Sequence, residues 1–334
     1  MTDDMIDPVD IDEPIETASM TVLNIDWAVE KAFDEHERVY LGGSVIGEEC
    51  WRKLWYGFRW ASEPEKFDGR MLRLFRRGHR EEISMVEDLR RTGVTVLEVD
   101  GNTGRQWEVS DHGGHFGGHL DGIALGVIEA PAKVHLLECK THNQKNFREL
   151  LRKGVEIAQP HHYAQMQIYM HHMSLTRALY LAVNKNDDTY YSERVRYDPL
   201  FAMRLVAKAG EIIGAYKAPD KRFSNPNARM AFPCGTCHHL PLCHQGGWAR
   251  RNCRTCVHAT PELDGKARWH CTRNNIDLSP ADQKAGCGSH LFLPDLVPGE
   301  QLDASAEEEW IEYALADGTV WRDGGTPLST SIEG

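Results

Sequence analysis

Apolar positions along the chain recur with two periods, and the change of period marks the elements. Over 70–92, Met71, Leu72, Phe75, Ile83, Val86 and Leu89 form a rough stripe at helical spacing, interrupted at Gly78, and predict one helix. Upstream, 20–45 reads as an amphipathic lead-in ending at Gly42-Gly43, and the aromatic-rich IGEECWRKLWYGFRW, 46–60, as helical. Strand-type stretches follow at 94–99, 106–110 and 115–125, then more clearly at VHLLECKT, 134–141. A polar segment carries a short helix near 146–152, and Pro160 can open another over HHYAQMQIYMHHM. RALYLAVNK, 177–185, reads as a buried strand and 198–217 as a helix with an apolar face. From 232 to about 290 cysteine, histidine and turn residues replace the periodic pattern. Over 307–334 the short amphipathic EEEWIEYALADGTVW reads as a small hairpin or docking element. There is no internal repeat, coiled-coil pattern or Walker-type phosphate loop, so intrinsic ATP use is not expected.

The 334 residues allow one large domain or two smaller ones, and 41% apolar content can fill a core. No apolar run approaches a membrane span. The opening MTDDMIDPVDIDEPIE is acidic, without the basic start and apolar core of a secretory signal, and reads as a flexible tail over 1–20. With no export signal, the nine cysteines do not read as a disulfide scaffold. A net charge of −12 argues against a non-specific nucleic-acid coat protein. Charge is uneven, however: residues 1–18 hold seven acids and no Lys or Arg, whereas 70–80, RMLRLFRRGHR, hold five arginines and no acid. That stretch is either a solvated helix face or a basic surface for a phosphate backbone.

In VHLLECKT, Glu138 and Lys140 are two apart and share a strand face, with Cys139 pointing the other way into packing. Either the pair is a surface ion pair, or the carboxylate is a metal donor beside a lysine that positions water. Asp121, in GGHLDG, ends a strand before a glycine turn, and a hairpin returning through 122–133 could set it beside Glu138. Asp121, Glu138 and the Cys139 carbonyl would make an oxygen-rich Mg²⁺ or Mn²⁺ site.

Asp121 with Glu138-Cys139-Lys140 resembles the catalytic signature of the PD-(D/E)XK nuclease superfamily, specifically its RecB-like and Cas4-like exonuclease branch. His79 in RRGHREE matches that branch's histidine before the core and is implied as a further metal ligand, with Glu81 or Glu82 as competitors for the role. Gln165 and Tyr169 in YAQMQIYM match its Gln-x3-Tyr motif; one turn apart, they share a helix face and are implied to support the lysine and contact DNA. The resemblance spans roughly 46–245. It implies an α/β fold, with a central mixed β-sheet flanked by helices in a restriction-endonuclease-like core.

Two cysteine sets remain. In FPCGTCHHLPLCHQGG, Cys234, Cys237 and Cys243 are spaced C-x2-C-x5-C, and a closed site needs a fourth ligand. His238, His239 or His244 would complete a local zinc site. The family resemblance instead implies Cys50, in GEECWRKLWYG, and a [4Fe–4S] cluster tying the ends of the nuclease domain together. The second set, Cys253, Cys256, Cys271 and Cys287, has the spacing C-x2-C-x14-C-x15-C of a small zinc ribbon or treble clef, with His258, His270 and His290 as substitutes for one thiol. This knuckle could touch DNA or be a passive clip. The organisation expected is a tail over 1–20, a nuclease domain over 21–245 closed by the iron–sulfur cluster, a small cysteine-rich zinc-binding module over 246–295, and a C-terminal tail over 296–334.

The resemblance implies a Mg²⁺- or Mn²⁺-dependent deoxyribonuclease, an exonuclease on DNA ends or single strands in recombination, repair or phage DNA processing. Its setting would be the prokaryotic cytoplasm or a phage-infected host, with protein partners in recombination or replication and no membrane. Arg73, Arg76, Arg77 and Arg80, with Arg52, Lys53 and Arg59, could track a strand; Trp51, Trp55, Tyr56 or Trp60 could stack bases or pack inside. The alternative is a non-catalytic DNA-binding or interaction subunit of a recombination or spacer-acquisition complex.

Overall fold

The computed structural model describes residues 19–33 and 37–325; the expected acidic tail over 1–18 and the end of the C-terminal segment, 326–334, lie outside the described residues. The described chain divides into two units, the smaller holding residues up to 33 with Lys66–Arg80, the larger Glu37–Glu65 with Glu81 onward.

In the smaller unit, helix α1 spans Met20–Ala32, its N-terminus capped by Ser19 Oγ accepting from Val22 N–H at 3.2 Å. The predicted lead-in to residue 45 is therefore shorter. Helix α1 lies against the start of a second helix, where Asp26 pairs with Arg73 and Glu30 Oε1 accepts from Gly69 N–H at 2.7 Å. Gly69 permits this approach, since a Cβ there would lie 2.6 Å from the Asp26 backbone.

The larger unit opens with strand β1 (Leu41–Gly42) and helix α2 (Trp51–Phe58), followed by helix α3 (Gly69–Arg91), which it shares from Glu81 on. Strands β2 (Thr95–Leu97), β3 (Glu108–Asp111), β4 (Phe116–His119), β5 (Gly122–Leu125) and β6 (Val134–His142) come next. Helices α4 (Gln144–Ala158) and α5 (Pro160–His172), strands β7 (Arg177–Asn184) and β8 (Tyr190–Arg196), and helix α6 (Pro199–Gly214) complete the core. The main sheet has the order β2-β5-β6-β7-β8, with β6–β7 parallel and the other pairs antiparallel; a small sheet, β1-β4-β3, adjoins it.

One face of the main sheet, with Leu137, Cys139, Leu179 and Val183, packs on Met85, Val86 and Leu89 of α3. The other, with Leu136, Ala178, Tyr180 and Ala182, lies beneath α5, which is buried on all sides from Ala164 to Met170. The fold is thus mixed α/β with helices flanking a central sheet. Helix α4 starts earlier than predicted because Asn143 caps it, accepting from Asn146 N–H at 2.8 Å; it buries Phe147 and Leu150 before a kink at Gly154, beyond which Val155 is buried. Strand β8 escapes the pattern search because YYSERVR is a polar edge strand buried mainly at Val195.

Beyond α6 lie two short helices, α7 (Phe232–Gly235) and α8 (Leu240–His244), and a small antiparallel sheet of β9 (Ala259–Pro261), β10 (Trp269–Cys271) and β11 (Ile276–Leu278). After helix α9 (Pro280–Ala285), the predicted hairpin is a three-stranded meander, β12 (Gly299–Ser305), β13 (Trp310–Leu315) and β14 (Val320–Gly324). It is seated by buried Tyr313 and by Trp321, whose ring centroid lies 4.8 Å from that of Trp248. No described helix is long and apolar enough to cross a membrane.

Candidate active site and cysteine centres

Strands β5 and β6 pair antiparallel with Gly122 opposite Leu137, so the next position sets Asp121 opposite Glu138. Asp121 Oδ2 accepts a hydrogen bond from Cys139 N–H at 2.8 Å and lies 3.8 Å from Lys140 Nζ. The Lys140 ammonium makes an ion pair with Glu138 Oε1 and donates to the Cys139 carbonyl at 3.2 Å. The carbonyl expected as a metal donor is thus already engaged, with one lone pair left.

Glu138 is fully buried, and its Oε2 has no hydrogen-bond partner. Burial pushes its carboxyl up to about 8; Lys140 opposes the rise and Asp121 adds to it. Burial pulls the Lys140 ammonium down, but the two carboxylates together outweigh it and hold it above its ordinary range. A bare, buried carboxylate oxygen beside a second carboxylate is costly unless a cation completes it. The hard-oxygen donors suit a divalent ion such as Mg²⁺ or Mn²⁺.

Helix α5 covers this face of the sheet, and Gln165 and Tyr169 are both buried on it. Two glycines admit the tyrosine: a Cβ on Gly118 would meet its hydroxyl at 2.2 Å, and one on Gly43 its ring at 2.8 Å. Burial, then the Glu138 charge, raises the Tyr169 hydroxyl above its usual range.

A further group lies outside the sequence motif. His142 stands two residues beyond Lys140 on the same face of β6, and Tyr180 is the β7 register partner of Glu138. The Tyr180 hydroxyl meets His142 Nε2 at 2.7 Å and His162 Nδ1 at 2.9 Å. Burial and the Lys140 charge lower His142 to about 4 and His162 to about 3, so both rings are neutral near pH 7. The signal was in the sequence: Glu138, Lys140 and His142 repeat every two residues, and His162, Gln165 and Tyr169 fall at i, i+3 and i+7.

The first cysteine set converges. Cys50, at the start of α2, lines one cavity with Cys234, Cys237 and Cys243, edged by Arg52, Lys53 and Arg222. The neighbouring histidines are engaged elsewhere: His239 Nδ1 meets Ser62 Oγ at 2.8 Å, and His238 Nε2 meets the Glu63 carbonyl. The second set converges too, with Cys253, Cys256, Cys271 and Cys287 lining one cavity with His258 and His290. Burial, then the other three thiols, pushes Cys253 up to about 11. His270 is drawn off by Asp277, at 2.9 Å, whereas His258 Nε2 and His290 Nδ1 are buried without partners. Four soft thiols around one cavity suit zinc or iron–sulfur in either set. Among the described residues, no group of three or more His, Cys, Asp or Glu side chains is arranged so that it could hold a metal ion.

His79 is exposed on the part of α3 that belongs to the smaller unit. Several of the expected DNA contacts are buried or already paired. Arg59, Trp55, Tyr56 and Trp60 are buried, leaving Trp51 exposed. Arg52 donates to Tyr56 Oη and to the Pro219 carbonyl, each at 2.8 Å, and Lys53 pairs with Glu48 at 2.7 Å. Arg73 is held by Asp26.

No protein-family model matches the chain, and no curated protein matches it. Among solved structures, the chain is similar to an alkaline exonuclease, LHK-Exo, from Laribacter hongkongensis, at 16% identity and a TM-score of 0.38 over 57% of this chain and 90% of that one. The same exonuclease in complex with dAMP gives 16% and 0.38 over 52% and 85%. SSO0001 gives 17% and 0.38 over 68% and 97%.

Proposed function

We propose that this chain is a divalent-metal-dependent deoxyribonuclease that hydrolyses phosphodiesters at DNA ends or on single strands. The observation that carries this reading is the buried Glu138 carboxylate, with one oxygen unpartnered, set beside Asp121 and Lys140 on one strand face. Asp121, Glu138 and the free lone pair of the Cys139 carbonyl would hold Mg²⁺ or Mn²⁺. When bound, the ion lowers the pKa of water and offsets charge on the phosphoryl oxygens.

The protein's own part is positional. The Cys139 N–H fixes Asp121 and the Glu138 ion pair fixes Lys140; the Lys140 ammonium would orient water and steady the phosphate. Gln165 and Tyr169 close the site from α5. The first cysteine set would hold a [4Fe–4S] cluster and the second a structural zinc. The domain organisation follows: a nuclease domain to about 245, a zinc module to about 295 and the C-terminal meander.

The test is cleavage of single-stranded and blunt duplex DNA by D121A and E138A, with and without Mg²⁺ or Mn²⁺. Each variant is expected to lose roughly a thousandfold or more of the activity. Unchanged cleavage, or a wild-type chain that binds DNA and never cuts it, overturns the enzyme reading and favours a non-catalytic DNA-binding subunit.

A further inference from the structure

We infer that Arg254 is a positioning residue that couples the second cysteine set to Cys50 of the first, using helix α2 as a rigid strut. The inference rests on the reading of both cysteine sets as metal centres. Arg254 lies between Cys253 and Cys256 in a short 3-10 turn. Its side chain turns away from solvent into the nuclease core and is 1% exposed.

The guanidinium uses its whole fork. Nη1 donates to the Phe58 carbonyl at 3.0 Å, Nη2 to the Val39 carbonyl at 3.0 Å, and Nε to Gln283 Oε1 on α9 at 2.8 Å. The plane lies 3.6 Å from the Trp60 ring centroid and 4.9 Å from that of Trp269. Arg59, which caps the C-terminus of α2, answers in kind: Nη1 donates to the Arg254 carbonyl at 3.1 Å and Nη2 to the Ala215 carbonyl at 2.8 Å. Neither guanidinium has a carboxylate in ion-pair range among the described residues, so carbonyl oxygens and aromatic faces alone replace their water.

Such a joint tolerates little looseness, because an arginine that loses its fork becomes a buried, unsatisfied cation. Cys50 sits at the N-terminal end of the same two-turn helix, which Leu54, Trp55, Tyr56 and Phe58 anchor by burial. The other three cysteines of that set come from 234–243, so the position of Cys50 decides whether the set is complete.

A second bracket holds the same module to the strand leading to Asp121. His115 Nε2 meets the Glu262 and Arg268 carbonyls at 3.0 and 3.1 Å, and Ala267 N–H donates to the Gly113 carbonyl at 2.8 Å. Cβ atoms on Gly113 or Gly114 would come within 2.6 Å of the 263–267 backbone, so the turn is cut to fit the module. The second set is therefore an internal brace between the turn before β4 and the helix of Cys50. It is neither a free knuckle for DNA nor a passive clip.

The test uses the anaerobically purified full chain and the variants R254M, R254K and Q283M. Iron and zinc per chain, the visible spectrum and its bleaching rate in air are measured. R254M is expected to keep its second-set zinc while bleaching about tenfold faster than wild type. R254K and Q283M, which loosen the same joint less, should fall between. Stripping zinc from wild type with a chelator should accelerate bleaching as R254M does. Wild-type iron content and bleaching in R254M overturn the coupling alone; if R254M does not fold, the same result in Q283M and in chelated wild type does so. A wild-type chain without metal at either set overturns the metal reading and the coupling with it.

Discussion

The molecule buries charge in two places and treats it in opposite ways. On β6, a carboxylate and an ammonium lie side by side, yet one carboxylate oxygen is left bare. At the joint between α2 and the second cysteine set, two like-charged guanidiniums are buried together, and all but one of their nitrogens are satisfied by carbonyls, an amide or ring faces. Opposite charges left incomplete leave a polar atom free to take a ligand. Like charges nearly fully satisfied mark a place that must not move.

The largest effect expected from this contrast is at Glu138. E138Q should lower DNA cleavage roughly a thousandfold while the thermal midpoint of the metal-free protein changes little, because the unpartnered carboxylate oxygen is removed while the Lys140 ammonium keeps Asp121 at 3.8 Å. An E138Q protein that melts well below wild type would break the comparison. R254M should do the reverse to stability: it strands the Phe58 and Val39 carbonyls, and a loss of about 3 kcal/mol, or on the order of 10 °C in melting temperature, is expected by calorimetry.

Acid titration sharpens the difference. Folding depresses His142 to about 4 and His162 to about 3 from an ordinary value near 6.5. The unfolded chain therefore binds more protons than the folded one below pH 6.5. The stability these rings contribute is whole above that pH and is lost as pH falls through about 4. The arginines, lowered to about 10 and 9, change nothing in that window. Urea unfolding between pH 4 and 7 should show a shallower slope for H142Q/H162Q than for wild type, and an unchanged slope for R254K. The smallest effect expected is at Gly118, where alanine must displace the buried Tyr169 ring; G118A should reduce turnover several-fold, on the order of 1 kcal/mol, and lower the melting temperature by a few degrees at most, about 1 kcal/mol of overpacking.

The carboxylate site was largely legible because strand period and hairpin register are local rules. Glu138 and Lys140 share a face from spacing alone, and a glycine turn after Asp121 permits the return that sets it opposite. Spacing and resemblance group the cysteines in two sets of four, the distant Cys50 included, and each set lines one cavity. Arg59 and Arg254 were not: each reads as a surface cation in an aromatic or Cys-x2-Cys context, and only the tertiary approach of Trp60, Trp269 and the Phe58 carbonyl makes burial tolerable. His142 was overlooked although its period matched, because a histidine two places beyond a motif carries no weight until Tyr180 arrives from the next strand. The meander over 299–324 was underestimated because β12 is exposed along nearly its whole length and has no apolar alternation to announce it.

The middle residue of Glu138-Cys139-Lys140 acts on the site through its main chain alone: its N–H holds Asp121 and its carbonyl holds Lys140, while the thiol lies in the core on the far side of the sheet. Valine or alanine there would leave the chemistry as it is, and proline, which has no N–H, would dismantle it. Drift at position 139 among relatives is thus uninformative about activity. Substitutions of that side chain would report the tightness of the α3 side without touching the opposite face of the sheet.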